Sequence, residues 1–216
     1  MRQFALDHAN HRPHTAVVMR GGGMRQLIVL VGLPGSGKTE FSRKQSNWVV
    51  VSKDLIRQSI FGCSYEPEFE DAVDRIFVTA LIEAAESSAE VVCVDDLNLL
   101  RNDRRSYIDL GHMTNRETVA VVMPYDPIDE IYQLVQFQLK QLEKKPERVR
   151  VTTFPRDRFD AMLRCYEAVR LEEGFARVLR EDALPLVSGI TKPEMVALKT
   201  KRHREEKRNP IPLFIG

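Results

Sequence analysis

The run GLPGSGKT, Gly32 to Thr39, has the GxxxxGK[ST] spacing of a phosphate-binding loop. Gly35 and Gly37 permit positive φ and close approach, so that successive backbone N–H groups can point at an anion. The whole run of Gly32, Leu33, Pro34, Gly35, Ser36, Gly37, Lys38 and Thr39 is therefore the expected ATP-binding set. The Lys38 ammonium suits the β- and γ-phosphates, and the Thr39 hydroxyl suits Mg²⁺. Asp95-Asp96 ends a later apolar run, where a carboxylate can hold the same Mg²⁺ through water. Between these lies VVVSKDLIRQSIFG. Its Asp54 follows an apolar run directly and can accept the proton of an attacking hydroxyl. Arg57, three residues on, shares a helix face with it and can bind an acceptor phosphate as a fork. A GTP switch would need an NKxD-like element, which the chain lacks, and a motor ATPase would usually be longer.

These residues need elements to hold them. Gln26–Val31, Trp48–Ser52, Val91–Val94 and Thr118–Met123 are short, nearly continuous apolar runs, the pattern of strands buried on both faces. FARVL, Phe175 to Leu179, reads as a last strand. Helical spacing follows or separates them: 39–46, Asp54 to Gly62 with Asp54 as its cap, Asp71 to Glu86, Arg104 to Leu110, a helix opened by Asp126-Pro127, and Arg156 to Glu173. Strands alternating with helices predict a three-layer α/β P-loop fold with a parallel core sheet. Ligands of such sheets bind at the carboxyl ends of the strands, where the residues above cluster. Glu143 to Pro155 is a charged, helix-poor stretch.

Three stretches carry a more specific likeness. GLPGSGKTEF, VSKDLIRQSIFG and VVCVDDLNLLRNDRRSYIDLG resemble the 5′-kinase domain of the bacteriophage polynucleotide kinase family, from Arg25 to about Glu173. That family has an RDxxRQS-like segment after its second strand and a DTNLNPERR-like segment after a later one. The resemblance implies that Asp54 activates the acceptor hydroxyl and that Arg57 binds the acceptor phosphate. It matches the DTN aspartate with Asp96, favouring Asp96 within the pair as the metal carboxylate beside Thr39, and places Asn98, Arg104 and Arg105 with the acceptor. The second segment is one residue longer here, so Arg104 and Arg105 align only with a gap. The resemblance also implies a lid near residues 143–153, where Arg148 or Arg150 would neutralise charge on the transferring phosphoryl group; the family's lid "RN" is missing, and each of the two aligns only with a shift of one residue. No DxDxT motif of the family's phosphatase domain follows, so healing of 3′ ends is not expected of these residues.

The implied activity is an ATP-dependent kinase with Mg²⁺, acting on a hydroxyl of DNA or RNA, most simply a polynucleotide 5′-hydroxyl. Relatives of this domain in phages phosphorylate a hydroxymethylated pyrimidine such as 5-hydroxymethyluracil within DNA, which keeps the catalytic set and changes the acceptor. A non-kinase NTP-binding switch is the reading from another class. The net charge of +1 over 216 residues signals no global attraction to nucleic acid, so basic surface must be local. Lys192 to Arg208 offers such a run, with seven Lys/Arg against three Asp/Glu. Tyr65 and Phe69, in the acidic segment SYEPEFED, could stack on a base. Cys63, Cys93 and Cys165 show no paired spacing, which fits a reducing compartment and a cytoplasmic setting. No apolar run approaches the ~18–20 residues of a membrane span. Residues 1–23 read as a flexible extension, with Met24 as an alternative start; 24–190 form the domain and 191–216 a basic tail.

Overall fold

The computed structural model describes residues 24–125, 127–143 and 154–181. Five strands, β1 (Gln26–Val31), β2 (Trp48–Ser52), β3 (Val91–Asp95), β4 (Glu117–Val122) and β5 (Arg177–Arg180), form one parallel sheet in the order β2-β3-β1-β4-β5. Among the described residues six α-helices accompany them: α1 (Lys38–Arg43), α2 (Lys53–Ile56), α3 (Glu70–Glu86), α4 (Arg101–Met113), α5 (Ile128–Glu143) and α6 (Arg156–Arg164). The period-2 alternation of β1 explains the layers. Leu27, Val29 and Val31 face Phe77 and Leu81 of α3 and Ile108 of α4. Ile28 and Leu30 join the opposite face, where Phe41 of α1 and Trp48 pack. All six β1 residues are buried, as a strand covered on both sides requires. A third cluster, Leu33, Leu99, Ile131, Val135 and Phe159, packs α5 and α6 over the end of β1.

Ser52 lies opposite Asp95 in the β2–β3 register, so the segments after both strands leave the sheet side by side. The helix after β2 begins at Lys53. Its cap is Ser52, whose hydroxyl accepts from the Leu55 N–H, and not Asp54 as the spacing predicts. The Asp54 carboxylate is thereby left for other partners. Arg57–Phe61 then widens into a single π-helical turn that ends at Gly62, φ 62°. Such turns recur at functional sites.

Two helix limits also differ from the pattern. α4 starts three residues before Arg104. α6 stops at Arg164, because the following segment is drawn across the sheet end: the Glu167 N–H donates to the Leu99 carbonyl, Val169 is buried, and Glu173 ends a 3₁₀ turn (Leu171–Glu173) beneath α4. The expected extension 1–23, the cap at Asp126, Arg148 and Arg150 of the lid, and the tail 191–216 lie outside the described residues. Among the described residues no helix is long and apolar enough to cross a membrane.

Candidate active site

The phosphate loop joins β1 to α1. Gly35 (φ 77°) and Gly37 (φ 96°) hold left-handed backbone. A Cβ on Gly35 would stand 2.6 Å from Val135 Cγ2 and 2.8 Å from the Ile131 carbonyl oxygen of α5, so the loop's curvature leaves no room for a side chain there. The Ser36 hydroxyl is buried and, among the described residues, has no hydrogen-bond partner, an unsatisfied donor within the cradle. The Lys38 ammonium donates to the carbonyls of Gly32 and Leu33, both at 2.8 Å. Burial lowers its pKa, against the opposing charges of Asp95, Asp54 and Asp96.

The Thr39 hydroxyl lies 3.0 Å from Asp95 Oδ2. Burial raises the Asp95 carboxyl, with Lys38 and the Thr39 hydrogen bond opposing and Asp54 and Asp96 adding to the rise. Two hard oxygen donors beside a phosphate cradle fit Mg²⁺, which takes few protein ligands and completes its shell with phosphate and water. Asp96 is spent elsewhere. Its Oδ2 meets Lys53 Nζ at 3.2 Å, Lys53 also pairs with Asp74 at 2.9 Å, and its Oδ1 accepts from the Leu97 N–H. Burial lowers the Lys53 pKa, but Asp96 and Asp74 outweigh it and the net shift is upward. The carboxylate beside the Thr39 hydroxyl is therefore that of Asp95, while the expected Asp96 faces Lys53, because consecutive residues leaving a strand face opposite ways. Asp95→Asn is expected to raise the Mg²⁺ concentration for half-maximal nucleotide binding by about 10–100-fold, and Asp96→Asn by far less. A Mg²⁺ titration of each variant checks this.

Asp54 opens into the same cleft, of about 1870 Å³, as Gly35, Lys38, Thr39 and Asp95. Its side chain is 72% exposed, and its Oδ1 accepts from Arg57 NH1 at 2.6 Å. Arg57 reaches further: Nε and NH2 donate to both oxygens of Glu70, at 2.9 and 2.7 Å. Burial disfavours its charge, yet the hydrogen bonds with Glu70 and the charge of Asp54 hold its pKa well above the usual arginine range. A carboxylate fixed by a guanidinium, at the rim of a phosphate cradle, can receive a proton from a hydroxyl lying between them.

Residues 27–169 match the family model described as an AAA domain. The chain belongs to this family. Similar solved structures include a provisionally assigned kinase from Chloroflexus aurantiacus, 16% identical, TM-score 0.57, covering 84% of this chain and 98% of that one. Kti12 from Chaetomium thermophilum, solved with ADP-AlF₃, is 16% identical with TM-score 0.51, covering 82% and 97%. A chain of the PezAT toxin–antitoxin system of Streptococcus pneumoniae is 15% identical with TM-score 0.53, covering 88% and 91%. At these identities the likeness is one of fold: a three-layer, kinase-type P-loop domain.

In this AAA domain the acceptor residues expected after β3 have protein partners of their own, and of the three only Asn98 lines the cleft. Arg104 is fully buried. Its Nε and NH2 each lie 2.8 Å from Glu173, and NH1 donates to the carbonyls of Asn98 and Leu99. It braces the loop after β3. The Asn98 amide is likewise used, donating to the Leu30 carbonyl at 2.7 Å, and the Gly32 N–H donates to Leu97. The loop after Asp95-Asp96 is thus tied to the root of the phosphate cradle. Arg105 pairs with Asp109 and lines a separate shallow depression with Arg101 and Arg170. Phe69 is stacked on Phe61 at 4.7 Å, and the Tyr65 ring lines the cleft beside two guanidiniums. Lys53, Glu70 and Arg158 line or brace the cleft without a motif to reveal them. A sequence signal existed only for Lys53, the neighbour of Asp54.

Proposed function

We propose that this AAA domain is an ATP-dependent kinase that transfers the γ-phosphate to a hydroxyl of a nucleic acid, most simply the 5′-hydroxyl of a DNA or RNA end. The observation that carries the reading is the meeting, in one cleft, of the phosphate loop and the exposed, arginine-held Asp54 carboxylate. A switch that only binds NTP has no use for such a carboxylate at its γ-phosphate end. The nucleic-acid acceptor rests on the three-segment resemblance from Arg25 to about Glu173.

In this reading the backbone of Gly32 to Thr39 holds the triphosphate. Thr39 and Asp95 would hold Mg²⁺, whose chemistry there would be to neutralise charge on the phosphates. Asp54 takes the proton of the acceptor hydroxyl as the new O–P bond forms and the bond to ADP breaks; the proton then passes to water. Lys38, freed from the carbonyls of Gly32 and Leu33, counters charge on the transferring group, with Arg148 or Arg150 of the lid. Little covalent work is asked of the protein, so positioning and electrostatics carry the rate.

The test is transfer of radiolabelled γ-phosphate to a panel: 5′-hydroxyl DNA, 5′-hydroxyl RNA, duplex containing 5-hydroxymethyluracil, and free nucleosides. Label on a 5′ end supports the reading, and label within the hydroxymethyluracil duplex moves the acceptor to the base. No label on any polynucleotide overturns it.

A further inference from the structure

Arg57 is the arginine that the pattern assigns to the acceptor's phosphate, yet its charge is already spent. It stands between Asp54 and Glu70, so that trio carries one net negative charge. Lys53 between Asp74 and Asp96 makes a second trio of the same sign. This wall of the cleft repels an anionic acceptor.

Arg158, on α6, lines the same cleft. Its guanidinium carbon lies 4.9 Å from the Tyr65 ring centroid and 5.8 Å from that of Phe154. Arg57 approaches the same Tyr65 ring at 5.9 Å. Among the described residues Arg158 makes no ion pair and no side-chain hydrogen bond, whereas its neighbour Arg156 is consumed by Asp129 and Asp160. Contact with ring faces uses none of a guanidinium's N–H donors, which therefore remain available to phosphate oxygens. The mount is firm. The next residue, Phe159, is fully buried and packs edge-on against Tyr132 and Phe154.

We infer that Arg158 is the specificity-determining residue of the acceptor site: it takes a phosphate of the acceptor and selects phosphate-bearing acceptors over neutral alcohols, while Arg57 is a positioning residue for Asp54. The inference rests on the kinase reading for its kinetics, and on charge alone for binding. The two are tested separately.

The first measurement is steady-state transfer to a 5′-hydroxyl oligonucleotide, a nucleoside 3′-phosphate and the matching nucleoside. Arg158→Ala should raise KM for the two phosphate-bearing acceptors about 10-fold or more, the strength of one charge-assisted contact, and leave KM for the nucleoside and for ATP in place. Arg158→Lys should recover part of the loss. Arg57→Ala should act on kcat instead. The second is equilibrium binding of the same oligonucleotide without ATP: Arg158→Ala should weaken it and lower the slope of log K against log salt by about 0.7, one phosphate contact on a single strand. Arg158 is exposed, and thermal melts of both variants should match the parent. Transfer with a KM indifferent to Arg158, or a KM rising equally for the nucleoside, overturns this inference and spares the kinase. No transfer, with oligonucleotide binding that still depends on Arg158, overturns the kinase and spares the inference. Binding indifferent to Arg158 overturns the inference in either case.

Discussion

Asp54→Ala is expected to lower phosphoryl transfer about 10²–10⁴-fold, the usual contribution of a positioned general base, while ATP affinity stays within a few-fold of the parent. The split follows from geometry. Asp54 lies at the rim, with most of its side chain in solvent, and makes no hydrogen bond to the phosphate loop. Nucleotide binding depends on the loop, Lys38 and Thr39, whose contacts run to Gly32, Leu33 and Asp95. Removing a carboxylate near the γ-phosphate also relieves repulsion, so any change in ATP affinity should be toward tighter binding. Single-turnover transfer and titration with a fluorescent ATP analogue check the two halves. Equal losses in both would show that Asp54 supports the fold of the cradle and not the chemistry.

The second large effect is on stability. Arg104→Met should cost about 3–5 kcal/mol, because it leaves Glu173 buried without its partner. For a domain of this size that lowers Tm by roughly 10 °C. The double variant Arg104→Met/Glu173→Gln should recover much of the loss, since no charge is then stranded. The pair also has a pH signature. Burial works against ionised Glu173, but hydrogen bonds from Arg104 and the Arg170 N–H, and the charges of Arg104 and Arg101, outweigh it and hold its pKa below the ordinary value. A depressed carboxyl stabilises the fold above the unfolded pKa, and that contribution is lost as pH falls through the folded one. The gap in Tm between parent and Arg104→Met should therefore be full at pH 7 and narrow below about pH 4. Thermal melts across that range measure it. The phosphate loop should suffer indirectly, because NH1 of Arg104 holds the Asn98 and Leu99 carbonyls, and the Asn98 amide holds Leu30 at the loop's root.

Arg104 also marks where local reading stops. It stands in a helix with Arg101 and Arg105, and all three look like basic surface beside the site. Only the packing of residues 166–173 across the sheet end brings Glu173, 69 positions away, to neutralise one of them. Arg57 gives the same lesson. Its contact with Asp54 is three residues long and follows from helical spacing, whereas its stronger embrace by Glu70 depends on how the chain turns at Gly62 before α3. The cap at Ser52 is a smaller case: serine and aspartate both cap helices, and the end of β2 decided which came first.

By itself the sequence determined the phosphate loop, strands β1 to β4, the parallel three-layer fold and the position of Asp54 after β2. Each rests on rules that act within a turn or a strand: glycine at positive φ, apolar runs of buried-strand length, and a carboxylate next to a strand end. The tertiary structure alone decided which charges in the cleft are spent. It set Asp95 against Thr39, gave Asp96 to Lys53, buried Arg104 and left Arg158 without an ion pair among the described residues. Ion pairs between distant elements form wherever the burial of apolar faces brings them, and no spacing along the chain records that.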